Sequence, residues 1–228
     1  MTTTTPPAAL DSDGDTYLDD DELHEGTDPF DPRDRIYKGY WPYWRDKDSL
    51  GERSFEGEAG GVVVGERFPR FRGMDHRGDI VDLYDFGGPD QRHEYILIDS
   101  CAMWCPPCQD LSAWVAGIEP APHLEEPYGA LRTMINSGQL AYITIETENY
   151  WSEPPTQDEL REWHKEFPHA RVPVLGDSDR EMLTHVNGPV GGWPVGVLIR
   201  AEDMQLMAME FMVPDLLDVA LEHTRGRR

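Results

Sequence analysis

Residues 96–115 read ILIDSCAMWCPPCQDLSAWV. The first five are apolar enough for a buried strand, and the spacing turns helical just after Cys105. A strand therefore runs straight into a helix, with Cys105 and Cys108 at the junction. Amides at a helix N-terminus carry partial positive charge, so a thiolate at Cys105 is expected to be stabilised and its pKa drawn towards neutrality. Cys108 lies one turn along, where it can attack a mixed disulfide from within the same molecule. Pro106 suits the first helical turn, where its missing N–H has no intrahelical partner. With Pro107 it also removes two amide donors, which should moderate the fall in pKa.

Outward from this stretch, strand-like runs alternate with helix-like runs from Val62 onward, the pattern of an α/β fold with a sheet covered on both faces. Strands are expected at Ile80 to Leu83, Tyr95 to Ser100, Leu140 to Glu146, Val172 to Leu175, Val195 to Ile199 and Gln205 to Phe211. Helices are expected just after Cys105, at Thr156, near Asp179 and at Pro214. At Thr156 a capping box with Glu159 marks the helix start.

Four separated features resemble the thioredoxin superfamily, in particular the redoxin branch with its tryparedoxins and cytochrome c maturation reductases. They are the hairpin-like segment from Val64 to Phe86, Asp99 six residues before Cys105, Trp104 flanking the first cysteine, and Gly192-Trp193-Pro194-Val195 before an apolar strand. The resemblance covers about residues 62–225 and implies a thioredoxin-like three-layer sandwich with an N-terminal hairpin extension. It implies thiol-disulfide exchange without an organic cofactor: Cys105 attacks, Cys108 resolves, Asp99 relays a proton, and Pro194 is the cis-proline that receives the substrate backbone. Trp104, Trp193, Val195 and Pro106 would shape the substrate groove. Two departures stand out. Trp193 is bulkier than usual before this proline, and the lysine that often partners the buried carboxylate has no counterpart on the strand ending at Glu146.

Other readings of the cysteines stay open. A C-x-x-C pair can be half of a zinc site, although a second pair is missing. Cys101 is expected to be a small buried residue. Alternatively, Cys101, Cys105 and Cys108 together bind a soft ion such as Cu(I), since the C-x-x-x-C-P spacing resembles copper chaperones of the same superfamily. The histidines, among them His164, His169 and His185, show no ligand spacing and are expected at the solvated surface.

Residues 1–10 have linker composition, residues 11–34 form an acidic module, and residues 35–61 hold an aromatic cluster (Ile36 to Trp44) and a charged, Gly-rich connection to the main domain at 62–228. In the module, Asp11, Asp13, Asp15, the carbonyl of Tyr17, Asp19 and Glu22 fit the ligand positions of a twelve-residue calcium loop. With Gly26-Thr27-Asp28-Pro29 the segment resembles a thrombospondin type 3 repeat, which implies bound Ca2+. Thr16 departs from the pattern, because the sixth position normally takes glycine. A third reading makes the chain a calcium-binding surface protein with the redox fold as a scaffold.

A formal charge of -24 excludes nucleic acid and anionic membrane as partners by simple repulsion. The expected partners are a disulfide- or thiol-containing protein and an upstream thiol donor or acceptor, with the chain a monomer. No apolar run approaches the roughly 20 residues that cross a bilayer. The Thr/Pro/Ala stretch after Met1 suggests that an export signal or anchor has been removed, so an extracytoplasmic, periplasmic location is expected, with secreted or cytoplasmic ones as alternatives.

Overall fold

The computed structural model describes residues 10–51, 53–55, 62–89, 91–118, 121–211 and 213–225. Most of the N-terminal linker (residues 1–9) lies outside them, as do residues 56–61 of the connection.

Helix α1 (Asp19–Glu25) is followed by strands β1 (Arg72–Asp75), β2 (Ile80–Asp82) and β3 (Tyr95–Ala102), then helices α2 (Pro106–Ala116) and α3 (Pro122–Ser137). Strand β4 (Ala141–Glu148), helix α4 (Gln157–Glu166) and strand β5 (Val174–Gly176) come next. A π-turn at Leu183–Asn187 runs into the short α5 (Gly188–Val190), and β6 (Val195–Arg200), β7 (Gln205–Phe211) and α6 (Val213–Arg225) close the chain. The seven strands form one sheet in the order β2-β1-β5-β4-β3-β6-β7. β3, β4 and β5 pair in parallel; β1 and β2 form an antiparallel hairpin at one edge, and β6 and β7 another at the opposite edge.

Alternation along the strands separates two cores. Ile96, Ile98, Ile143, Ile145, Val197 and Ile199 face a layer made of the π-turn (Met182, Val186) and the aromatic segment (Tyr37, Trp41, Phe55). Leu97, Tyr142 and Leu198 face the opposite layer, where α2, α3 and α6 bury Leu111, Trp114, Leu124, Leu131, Leu216 and Leu217. The aromatic segment is tied down by polar contacts as well as by packing: Trp41 Nε1 donates to Asp75 (2.7 Å) and Tyr37 OH to Asp85 (2.6 Å). The acidic loop docks on that segment in turn, through Tyr17 OH to the Trp41 carbonyl (2.9 Å), Tyr43 OH to Glu25 (2.8 Å) and an Arg45–Asp21 ion pair (2.7 Å).

Several elements differ from expectation. Helix α3 is absent from the expected helices; it contains Pro122 and Pro127, and Pro122 opens it, where a missing N–H costs nothing. Leu124, Tyr128, Leu131 and Ile135 then give it a buried stripe. Helix α1 was also absent from the sequence reading, and β1 was expected only as part of the hairpin-like segment from Val64 to Phe86, which β1 and β2 form. His164, His169 and His185 are half-buried rather than solvated: His164 stacks on the buried His76 (centroids 3.8 Å apart), and His185 stacks on Phe55. The capping box is present as expected, with the Glu159 amide donating to Thr156 Oγ1 and the Thr156 amide to Glu159 Oε2.

Candidate active site

Strand β3 loses register against β4 between Cys101 and Ala102, and the chain leaves the sheet there to enter α2. Cys105 is the N-cap of that helix, in an extended conformation, and Pro106 is its first residue. The Cys105 amide donates to the Ala102 carbonyl (2.9 Å), while its own carbonyl accepts from the amides of Cys108 and Gln109 (both 3.1 Å). Gln109 Nε2 closes the turn on the Met103 carbonyl (2.7 Å). Cys105 keeps 4 % of its surface and Cys108 none, so of the two residues the first is the one with any exposure.

Two tryptophans lie beside the cysteines. Trp104, 38 % exposed, donates to Glu148 Oε2 (3.0 Å) and meets Trp193 edge-on at 5.0 Å. Trp193 Nε1 donates to Thr147 Oγ1 (2.8 Å), and that hydroxyl donates to the Cys101 carbonyl (2.7 Å), so the bulky ring is anchored to the ends of β3 and β4. The Trp193–Pro194 peptide is cis. Asn187, a residue the sequence reading passed over, ties this loop to β3: Nδ2 faces the carbonyls of Gly192 and Ser100 (both 3.3 Å) and Oδ1 accepts from Ser100 Oγ (2.6 Å). A mostly apolar groove of about 180 Å³ runs along Pro107, Trp193, Pro194 and Pro214, with Asp110 and His123 also lining it. Of the four residues expected to shape it only Trp193 lines it: Trp104 and Pro106 lie exposed beside it, and the Val195 side chain is fully buried in the core.

Beneath the dithiol lies a column of polar groups that strand alternation places on one face. Asp99 and Cys101 come from β3; Tyr142, Thr144 and Glu146 come from β4, where the register pairs Asp99 with Thr144 and Cys101 with Glu146. Asp99 is fully buried and accepts from Tyr142 OH (2.7 Å), from Thr144 Oγ1 (3.4 Å) and from the Cys101 thiol. Hydroxyls and a thiol thus occupy the space where a lysine partner is absent. Burial pushes the Asp99 carboxyl up to about 6, against the downward pull of the Cys101, Tyr142 and Thr144 hydrogen bonds. Glu146 is fully buried with neither carboxyl oxygen hydrogen-bonded, and burial, followed by the nearby Asp99 and Cys105, pushes it well above the carboxylate range. Spacing alone puts it on the face of Tyr142 and Thr144; what brings it to the site is its register opposite Cys101.

The thiols correct one expectation. Cys105 does not titrate near neutrality. The neighbouring Cys108 thiol and then burial push it up, with only the Cys108 amide pulling the other way. Burial, then Cys101, pushes Cys108 up as well. The reduced protein therefore rests as a protonated dithiol. Iodoacetamide should modify Cys105 slowly at pH 7, at a rate still climbing beyond pH 9; a plateau reached below pH 7 would contradict this.

The acidic loop brings Asp11, Asp13 and Asp15 together, with one oxygen of each within 4.8 Å of the others. Glu22 is fully buried and its two oxygens lack hydrogen-bond partners, as do Asp13 Oδ2 and Asp15 Oδ2. Burial, then Asp15 and Asp13, pushes the Glu22 carboxyl up to about 7. Four buried orphan oxygens among like charges suit a hard divalent cation such as calcium. Asp19 is turned away, both its oxygens accepting from Ser12 (2.7 Å each). Thr16 adopts φ +88°, the left-handed conformation that glycine would take there. Among the described residues this is the set of three acidic, histidine or cysteine donors that lie within 4.8 Å of one another; the three sulfurs are not such a set.

A scan against protein-family models and a search of curated proteins each found no match. Solved structures do match. A thioredoxin-like protein from Bacteroides caccae aligns with a TM-score of 0.50 at 12% identity, covering 70% of this chain and 50% of that one. A conserved protein of unknown function from Bacteroides fragilis aligns with a TM-score of 0.50 at 14% identity, over 70% of this chain and 99% of that one. The thioredoxin domain of a thiol-disulfide oxidoreductase from Bacteroides vulgatus aligns at 0.47 and 19% identity, over 71% and 98%. The fold is thioredoxin-like.

Proposed function

We propose that this chain is a thiol-disulfide oxidoreductase that reduces disulfides in other proteins. The observation that carries the reading is the placement of Cys105 at the N-cap of α2, with Cys108 one turn inside and the cis Trp193–Pro194 loop beside them. Cys105 attacks the substrate disulfide, Cys108 resolves the mixed disulfide, and Asp99, poised near 6, takes up the proton of the resolving thiol. Trp104, Trp193, Pro194 and the exposed edge of Pro106 border the path by which a substrate strand reaches Cys105. The chemistry uses thiols alone and needs no organic cofactor; an upstream thiol donor regenerates the dithiol. The protonated thiols support the reducing direction. An oxidant of this family owes its potential to a stabilised thiolate in the reduced form, and here burial and thiol neighbours favour the protonated dithiol instead. The reduced protein should accelerate dithiothreitol-driven insulin precipitation over dithiothreitol alone; a rate equal to the control would sink the reading.

We infer further that Asp11, Asp13, Asp15, the Tyr17 carbonyl and Glu22 hold calcium, which would stiffen the loop where it docks on Trp41 and Tyr43. Sites of this kind fill at millimolar calcium, which supports an extracytoplasmic location. A hundredfold excess over Kd is expected to stabilise the fold by about 2.7 kcal/mol. Glu22→Gln should abolish the gain, and Thr16→Gly should stabilise the loop by about 1 kcal/mol by relieving the left-handed threonine. Thermal unfolding with and without calcium checks this, and an equal shift in Glu22→Gln would refute it.

A further inference from the structure

Asp99 and Cys101 are two residues apart on β3 and so project from one face of the sheet, directly beneath the N-terminus of α2. The Cys101 thiol, fully buried, donates to Asp99 Oδ1. On its other side it packs in one buried cluster with Cys105 and Cys108, where the Cys108 thiol is near enough to act on it electrostatically. The second Asp99 oxygen is taken by Tyr142 and Thr144. Both Asp99 oxygens are thus engaged, and the thiol that hydrogen-bonds the carboxyl is Cys101, which packs against Cys108.

We propose that Cys101 is the relay through which Cys108 passes its proton to Asp99. The proposal rests on the dithiol-exchange reading and adds a third side chain to it. When a substrate sulfur is bonded to Cys105, the Cys108 proton moves to the Cys101 sulfur as the Cys101 proton moves to Asp99 Oδ1. The Cys108 thiolate then attacks the Cys105 sulfur. The bond from Cys105 to the substrate breaks, the Cys105–Cys108 bond forms, and the substrate leaves as a thiolate carrying the electron pair. The dithiol has lost two electrons and the substrate disulfide has gained them; Asp99 holds the proton until it is released. The titratable groups facing Cys101 are Asp99 on its own strand, Glu146 and Tyr142 on β4, and Cys105 and Cys108 on α2. Burial holds Glu146 and Tyr142 protonated, which leaves Asp99 as the acceptor.

Dithiobis(nitrobenzoate) separates the two steps in one stopped-flow trace. Attack by Cys105 releases a first thionitrobenzoate, and resolution by Cys108 releases the second. Cys101→Ala should lower the ratio of second-phase to first-phase rate about tenfold or more at pH 7 and move the second-phase pH profile upward. Cys101→Val, which refills the space, should do the same, whereas Cys101→Ser, whose hydroxyl can accept and donate, should recover most of the ratio. Because Asp99 lies on the same path, adding Cys101→Ala to Asp99→Asn should cost no more than about a further twofold beyond Asp99→Asn alone. An unchanged ratio in Cys101→Ala and Cys101→Val, an equal loss in Cys101→Ser, or multiplicative losses in the double variant would overturn the relay. A wild-type trace without the second release would instead defeat the exchange reading beneath it.

Discussion

Replacing Cys105 by Ser is expected to bring insulin reduction down to the uncatalysed rate, a loss of at least about a thousandfold, because a hydroxyl is far less acidic than even a raised thiol and a far poorer nucleophile towards sulfur. The paired Cys108→Ser variant should behave differently. It keeps the nucleophile at the N-cap of α2 and loses only the fully buried resolving sulfur, so it should stall as a covalent adduct with substrate, visible by mass. Turnover persisting in Cys105→Ser would move the nucleophile to one of the other two thiols, Cys101 or Cys108, both of which are fully buried.

The Asp99→Asn variant carries the second large effect. Its resolution step should slow about a hundredfold at pH 7, the ordinary worth of a positioned proton acceptor. In the wild type, resolution should rise with pH through about 6 as the Asp99 carboxyl ionises, and that rise should vanish in the variant. Stability should move the opposite way. Asp99 has an ordinary value of 3.8 and titrates at about 6 when folded, so the folded chain binds the extra proton between these pH values and stability falls as pH rises through them. At pH 7 the buried carboxylate therefore costs up to ~3 kcal/mol that asparagine recovers, and the gain should disappear below about pH 4. A variant that resolves at the wild-type rate would remove Asp99 from the proton path.

How much of this was legible in the chain varies with the range of the signal. The strand-to-helix passage around Cys105, the capping box at Thr156 and the spacing of acidic residues in the N-terminal loop are local patterns, and each appears at its expected position. Helix α3 was hidden by a local signal of the wrong sign, the two prolines, although its buried stripe was present in the spacing of Leu124, Tyr128, Leu131 and Ile135. The thiol environment depended on packing. A helix N-terminus argues for an acidic Cys105, but three thiols and a buried carboxyl gathered under Trp193 outweigh it, and that gathering comes from the register of β3 on β4. Glu146 and Asn187 were missed for the same reason. Each looks ordinary in its own segment and gains significance only through partners far along the chain, Glu146 opposite Cys101 and Asn187 bonded to Ser100. Asp19 shows the limit of spacing alone: it occupies a ligand position in sequence, yet its carboxylate is spent on Ser12.

The central claim, that Cys105 and Cys108 form a reducing dithiol, is tested most directly by an equilibrium redox titration of the pair against a thiol buffer, with free thiols counted by mass. A single reversible two-electron transition with a midpoint below about -220 mV, leaving Cys101 free throughout, is the predicted result. A midpoint near -120 mV would reverse the direction of the reaction, and the absence of any transition would contradict the exchange chemistry itself.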